Sequence, residues 1–279
     1  MLALIRGAGD LASGIALRLW HSGISVVMTD LPRPTVIRRT VSFADAITSG
    51  TMTVEDVTAR FAADAQQAKE LLAQGVIPVL ADPECRCREA LEPDVIVDAI
   101  LAKRNLGTHI TDAGIVIGVG PGFTAGEDCH AVVETMRGHT LGRAIYRGSA
   151  LPNTNIPGLV GGFAGERVLR APADGVFTGV KKIRDLVQEG DIVGYVADEP
   201  MRATISGVLR GLLADGVEVK CGMKSGDVDP RAEVSYCDTV SDKANAVAGG
   251  VLEVILHLSG VLNEKTEGKE NETHFARIG

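Results

Sequence analysis

The residues Gly7-Ala8-Gly9-Asp10-Leu11-Ala12 form a G-x-G-x-x-A pattern. In such a pattern the first glycine permits a tight turn, the second lets a phosphate approach the backbone, and the small third residue lets the next helix pack closely. A helix starting there would offer free N–H groups to an anion. Asp30 lies 23 residues beyond Gly7, where a carboxylate can hold a ribose hydroxyl. Asp10 places a negative charge beside this cradle, and Arg33, Arg38 and Arg39 offer phosphate a second resting place. A nucleotide-type pocket and a Rossmann-type scaffold without a dinucleotide both stay open.

A second constellation is the run from Asp98 to Asn105, which sets a carboxylate, the cations Lys103 and Arg104, and the Asn105 amide in one short segment. Its cations suit an anionic ligand, although a solvated, salt-bridged loop has the same composition. Gly120 and Gly122 flank Pro121 at another expected strand end. A helix expected over Glu127–Met136 would put His130 and Glu134 on one face, with Arg137 a turn further on. Two such groups do not complete a zinc site, so a polar wall or a cap with an ion pair are the readings for His130 and Arg137. Cys85-Arg86-Cys87 places two thiols beside arginines, with no second pair to complete a metal site. No metal site is expected, and no catalytic residue can be assigned.

These residues need elements to position them. Short apolar runs at Leu2–Arg6, Ser25–Thr29, Val76–Leu80, Asp94–Val97 and Gly114–Gly118 read as strands. Helices are expected at Leu11–His21, Ala65–Ala73 and Glu84–Leu91. The alternation implies βαβ units and a mostly parallel sheet over residues 1–150, Rossmann-like in type. All its carboxyl-terminal strand tips would share one edge, where ligands bind. Arg33–Asp64 breaks the rhythm, with a strand near Arg39–Ser42, a helix over Phe43–Thr48 and a strand near Thr51–Val54.

Residues 151–237 read as a small all-β module, with short runs broken by turns such as Ala173-Asp174-Gly175 and Ser206-Gly207. Ala171–Val176 is echoed by Ala203–Val208, so the module reads as a duplication of about 30 residues. Residues 238–262 read as a helix packing back, with Ser241 as its N-cap. The polar residues 263–279 read as a tail.

Among 279 residues, 28 cationic and 36 acidic side chains give a net charge of −8, which argues against a nucleic-acid footprint. Five cysteines without paired spacing suit reduced thiols, and the short apolar start suits no secretory leader. A cytoplasmic protein with no membrane span is expected.

Taken together, Arg6–Gly14, Arg38–Phe43, Asp98–Asn105, Gly118–Phe123, Arg137-Gly138-His139, Arg170–Gly175 and Gly226–Arg231 make the sequence resemble the YqeB family of selenium-dependent molybdenum hydroxylase system proteins. The likeness covers roughly residues 3–262. It is looser, and one of concept, to the XdhC-type chaperones of molybdenum cofactor. The resemblance implies an accessory or maturation role, with a molybdenum hydroxylase or its maturation proteins as partners. The glycine loop and the shared strand ends would supply the pocket for an anionic small molecule, from Gly7, Ala8, Gly9, Asp10, Ala12, Asp30, Asp98, Lys103, Asn105, Gly120 and Gly122. NAD(P) or a molybdopterin-type cofactor is the candidate, and homo-oligomerisation is a further option. An NAD(P)-dependent oxidoreductase and a non-enzymatic scaffold are the alternatives. The β module resembles the biotinyl/lipoyl barrel-sandwich hybrid, but its middle turn reads Asp198-Glu199-Pro200-Met201-Arg202-Ala203 and carries no lysine.

Overall fold

The computed structural model describes residues 1–154 and 156–262, so the expected tail over 263–279 lies outside the described residues. The chain is a mixed α/β protein. Its largest sheet has nine strands: β1 (Leu2–Arg6), β2 (Ser25–Thr29), β3 (Thr51–Val54), β4 (Val57–Ala62), β5 (Ile77–Leu80), β6 (Val95–Asp98), β7 (Ile115–Val119), β8 (Ala131–Val133) and β9 (Ala144–Ile145). Their order is β3-β4-β5-β2-β1-β6-β7-β8-β9. The seven strands from β4 to β8 in that order run parallel, and β3 and β9 close the two edges antiparallel. Both faces are covered, which explains why β1, β5, β6 and β7 are apolar nearly throughout. The chain moves outward from β1 on one side to β2 and on the other to β6, so the connections leaving β1 and β6 diverge at the same edge.

One face carries α1 (Asp10–His21) and the last helix of the chain, and the other carries α3 (Ala65–Ala73) and α4 (Arg88–Leu91), the short α2 (Ala46–Ser49) lying before the β3–β4 hairpin. The connections β6–β7 and β7–β8 contain no helix. The last helix, α5 (Asp242–Ser259), fills that space with fully buried Val247, Val251, Val254 and Ile255. It lies hard against α1: a Cβ on Gly14 would stand 2.7 Å from that of Ala244. Ser241 caps α5, its hydroxyl accepting from Ala244 N at 3.1 Å. Gly260 ends it in the left-handed region at φ +65°.

Several local expectations change. The helix expected over Glu127–Met136 is absent: Thr124 N donates to the Asp128 carboxylate at 2.8 Å, closing a turn, and Ala131–Val133 then joins the sheet as β8. Three consecutive residues buried on both sides suit a central strand and not an amphipathic helix. Arg39–Val41 is a 3-10 turn where a strand was expected, since its backbone serves a tertiary contact described below. The helix expected from Phe43 begins as a 3-10 turn and is α-helical only over Ala46–Ser49. Strand β4, which forms a hairpin with β3, has no counterpart in the sequence reading. Cys85, in the left-handed region at φ +57°, confines the expected Glu84–Leu91 helix to Arg88–Leu91. The C-terminal helix starts at Asp242 and not Asp238, because Val234–Cys237 forms its own 3-10 turn.

After the connector come eight short strands: β10 (Val168–Arg170), β11 (Gly175–Gly179), β12 (Leu186–Val187), β13 (Ile192–Val196), β14 (Glu199–Arg202), β15 (Gly207–Leu212), β16 (Glu218–Val219) and β17 (Lys224–Asp229). They form two antiparallel sheets, β10-β17-β15-β12 and β14-β13-β11-β16. The expected duplication is visible in this order. Strands β10–β13 correspond to β14–β17, and each sheet borrows strands from both units. Gly175 and Gly207 hold the same place, at φ +153° and +159°. The turn between the units is Ala197-Asp198, with Ala197 at φ +51°.

Candidate functional site: a cationic junction at the sheet edge

The carboxyl ends of β1, β2, β5, β6 and β7 do share one edge, because those strands are parallel. Gly7 turns there at φ +95°. Asp30 faces back toward this turn: Oδ2 accepts from Ala8 N and Oδ1 from Leu31 N, both at 2.7 Å. Burial pushes the Asp30 carboxyl pKa up, while these two N–H donors pull it down. The donor that the glycine loop would present to a phosphate at Ala8 is therefore held by Asp30. Ala8 is buried just before α1 and Ala12 within its first turn, and Gly9 is its N-cap.

The segment after β6 threads between the two glycine turns. A Cβ on Gly7 would stand 2.9 Å from Ala99 O, and one on Gly122 would stand 2.6 Å from Arg104 N. Gly120 abuts the Thr135 side chain in the same way. The close approach that these glycines permit is made by the chain's own atoms. Asp98 is 2% exposed and receives Thr108 Oγ1 at 2.6 Å and Arg6 Nη1 at 3.3 Å. Asn105 pins its loop through Thr108 N and O and reaches Asp128. Lys103 is an exposed residue in the left-handed region at φ +64°. A shallow cleft of about 370 Å³ opens beside this loop, lined by Arg6, Arg86, Arg88 and His109. Its arginines are already held by Asp98, Glu84 and Asp112.

His130 and Glu134 flank β8 and do not share a helical face. His130 Nδ1 accepts from Val116 N at 3.0 Å, and Glu134 accepts from Met136 N and Leu151 N. Arg137 forms a bidentate pair with Asp242 at 2.7 and 2.8 Å, fixing the first turn of α5.

The less expected arrangement lies on the α1 side of the edge. The strap after β2 runs over the α1 N-terminus and holds the β module: Leu212 N donates to Ile37 O, and Arg39 Nε donates to Leu212 O. Buried Arg38 donates to Asp10 Oδ2 at 3.4 Å and to the carbonyls of Tyr236 and Thr239. Two lysines lie within electrostatic reach of this junction. Lys224 opens β17, and Lys243 stands in the first turn of α5 beside the α1 N-terminus; both feel the field of Asp10. Among the described residues neither lysine has a hydrogen-bonded or ion-paired partner. Neighbouring Arg167 and Arg210, in contrast, are bound to Asp227. Loss of hydration lowers the pKa of both ammonium groups, against the pull of nearby carboxylates, and for Lys243 the cations Arg137 and Lys224 lower it further.

Arg38 and Asp10 were legible as charged residues near the glycine loop. Lys224 and Lys243 were not, since they come from the β module and the last helix. The only sequence signal for Lys243 was the capped start of α5.

The chain is 52% identical over 257 residues to YqeB of Escherichia coli K12, a match covering 92% of this chain and 48% of that protein. The chain is a homologue of YqeB. It spans about half the length of the curated relative it matches. No protein-family model matches the chain. Among solved structures, an aspartoacylase family protein from Mesorhizobium loti is 11% identical with a TM-score of 0.27, covering 81% of this chain and 84% of that one. A succinylglutamate desuccinylase/aspartoacylase from Rhodobacter sphaeroides is 17% identical with a TM-score of 0.21, over 23% of this chain and 22% of that one. Likenesses this slight carry no argument about fold or activity.

No group of three or more His, Cys, Asp or Glu side chains that could hold a metal stands among the described residues. No helix among them is long and apolar enough to cross a membrane.

Proposed function

We propose that this chain is an accessory protein that binds an anionic, phosphate-bearing small molecule on the surface where the α1 and α5 N-termini adjoin the β module. The observation that carries the reading is the pair Lys224 and Lys243, cations without an anion at a place where two helices begin. Two unpartnered ammonium groups repel each other, and a bound dianion relieves both the repulsion and the lost hydration. At contact distance each ammonium–phosphate pair is worth about 1–4 kcal/mol between bulk-water and near-surface screening. The helix N-termini add a smaller attraction of the same sign.

The resemblance supplies the setting: maturation of a selenium-dependent molybdenum hydroxylase, with a nucleotide or molybdopterin-type cofactor as ligand and the hydroxylase or its maturation proteins as partners, in the cytoplasm. The parallel sheet with its diverging connections supports a Rossmann-like description of residues 1–150. The interlocked repeats support a barrel-sandwich-hybrid-like description of residues 151–237. An NAD(P) reading draws less support, because both Asp30 oxygens already accept backbone N–H groups.

Thermal unfolding with pyrophosphate, ADP and inorganic phosphate tests the reading. Millimolar pyrophosphate or ADP should raise the Tm, with a gain that shrinks as salt rises and disappears in Lys243→Ala. No shift with any of the three removes the assignment.

A further inference from the structure

The crevice expected at the carboxyl ends of the sheet is closed on one side and open on the other. On the α1 side the Ala99 carbonyl fills the space beside Gly7. On the α4 side the cleft of about 370 Å³ remains, walled by the turns that leave β5 and β6, with Arg6, the last residue of β1, in its lining. Chain order reverses between β1 and β6, and open parallel sheets bind small ligands beside such a reversal. The volume lies at the lower end of the range for ligand pockets. We propose that this cleft binds a small zwitterion, an amino-acid-like molecule whose carboxylate is taken by the Arg88 guanidinium and whose ammonium is taken by the Glu89 carboxylate. The site is separate from the lysine junction and does not depend on it.

Both walls are fixed before any ligand arrives. Arg6 joins them, Nη2 donating to Leu106 O at 3.2 Å and to Pro83 O at 3.4 Å. In the turn after β5, Asp82 Oδ2 accepts from Cys87 N at 2.8 Å. Cys85 and Cys87 are buried beneath α4, while Glu84, Arg86, Arg88 and Glu89 line the cleft. In the turn after β6, the Asn105 amide accepts from Thr108 N at 2.8 Å and donates to Thr108 O at 2.7 Å. His109 N donates to Asp112 Oδ2 at 2.8 Å. A site preformed in this way gives up less freedom on binding.

Most charges around the cleft are matched within the chain. Arg6 meets Asp98 at 3.3 Å, Arg86 pairs with Glu84, and Arg88 Nε stands 3.7 Å from Asp112. What is left over has both signs. Arg88 Nη1 donates to Cys85 O at 3.1 Å and to Glu84 O at 3.4 Å, but Nη2 has no acceptor among the described residues. Arg6 Nε, in a side chain only 6% exposed, also has none. The exposed Glu89 carboxylate has no donor among the described residues. A plain anion would gain from the guanidinium groups and be repelled by Glu89; a plain cation would meet the reverse. A zwitterion satisfies both ends. Arg88 and Glu89 are neighbours in the chain and line the same cleft, so one small molecule spans the two charges. Pro83 and Leu106 give the lining an apolar part for the rest of the ligand.

The test is saturation-transfer NMR on the full chain with three probes: L-leucine, isocaproate, which lacks only the ammonium, and isoamylamine, which lacks only the carboxylate. Millimolar L-leucine should receive saturation, and each counterpart should bind roughly tenfold more weakly, the loss expected for one charged hydrogen bond. Glu89→Gln alters an exposed side chain without partners, so the fold is kept. In that variant L-leucine and isocaproate should bind alike. In Arg88→Gln, L-leucine and isoamylamine should bind alike. No transfer to L-leucine overturns the proposal. Isocaproate bound as tightly as L-leucine in the wild type makes the cleft a plain anion site and overturns the ligand class. Discrimination that survives Glu89→Gln overturns the placement in this cleft. Pyrophosphate should raise the Tm of Glu89→Gln as it does that of the wild type, so loss of that shift in both proteins removes the lysine junction alone.

Discussion

The contact between Gly14 of α1 and Ala244 of α5 sets the distance between the two helices whose first turns carry Asp10 and Lys243. Replacing Gly14 with alanine puts a methyl carbon 2.7 Å from the Ala244 Cβ, well inside an ordinary contact. The helices must part by several tenths of an ångström. Overpacking of this kind costs about 1–3 kcal/mol. Alanine regains about 0.5–1 kcal/mol over glycine inside a helix. The expected net loss for Gly14→Ala is therefore about 1–2 kcal/mol, or some 2–8 °C in Tm for a chain of this size. Ala244→Gly alone should also destabilise, by about 1 kcal/mol through helix propensity. In the double variant the methyl group has only moved across the interface. Its loss should fall short of the summed single losses by about 1–2 kcal/mol. Urea unfolding of the four proteins measures this directly. Additive losses would show that the helices do not meet at these positions. Gly14→Ala should also weaken stabilisation by pyrophosphate, since parting the helices moves Lys243 away from the α1 N-terminus.

Two other expectations concern titration and reactivity. The Arg137 guanidinium holds the Asp242 carboxyl at about 2, below its ordinary 3.8, so its contribution is present above pH 4 and lost as pH falls through 2. With the carboxylate 73% exposed the pair is worth at most about 1 kcal/mol, and the Tm gap between wild type and Asp242→Asn should be flat from pH 5 to 8 and close by pH 2. Of the five cysteines only Cys221 is exposed, while burial raises the thiol pKa of Cys129 to about 11 and that of Cys237 in direction. Iodoacetamide should therefore modify one cysteine quickly in the folded chain and the other four only on unfolding, as counted by intact mass; fast reaction at Cys85 or Cys87 would contradict the packing beneath α4.

The parallel strands were legible because each is a short apolar run bounded by glycine or aspartate, and the all-β module because its turns recur at the spacing of a repeat. The segment from Glu127 to Met136 was misread for a physical reason: a helical register and a buried strand can share residues when only Ala131–Val133 is apolar. The strap around Arg38 was illegible since its form is set by carbonyls about 170 to 200 residues away, at Leu212, Tyr236 and Thr239. The glycine loop was found correctly as a place where something approaches closely. What approaches Gly7 is the Ala99 carbonyl, which a local pattern cannot specify. That Lys224 and Lys243 lack partners could not be read from the sequence, because a lack of partners is a property of the folded chain alone.

The exchange of strands between the two repeats reaches beyond this molecule. Strand β12 of the first unit completes the sheet of β15 and β17, and β16 of the second completes that of β11 and β13. Neither unit alone can satisfy its own backbone edge, so an isolated copy could close only by embracing an identical partner. The present arrangement is thus what gene fusion would make of a once two-chain, twofold symmetric assembly, and cutting the polypeptide at Ala197-Asp198 should yield two fragments that must reassociate before either one folds.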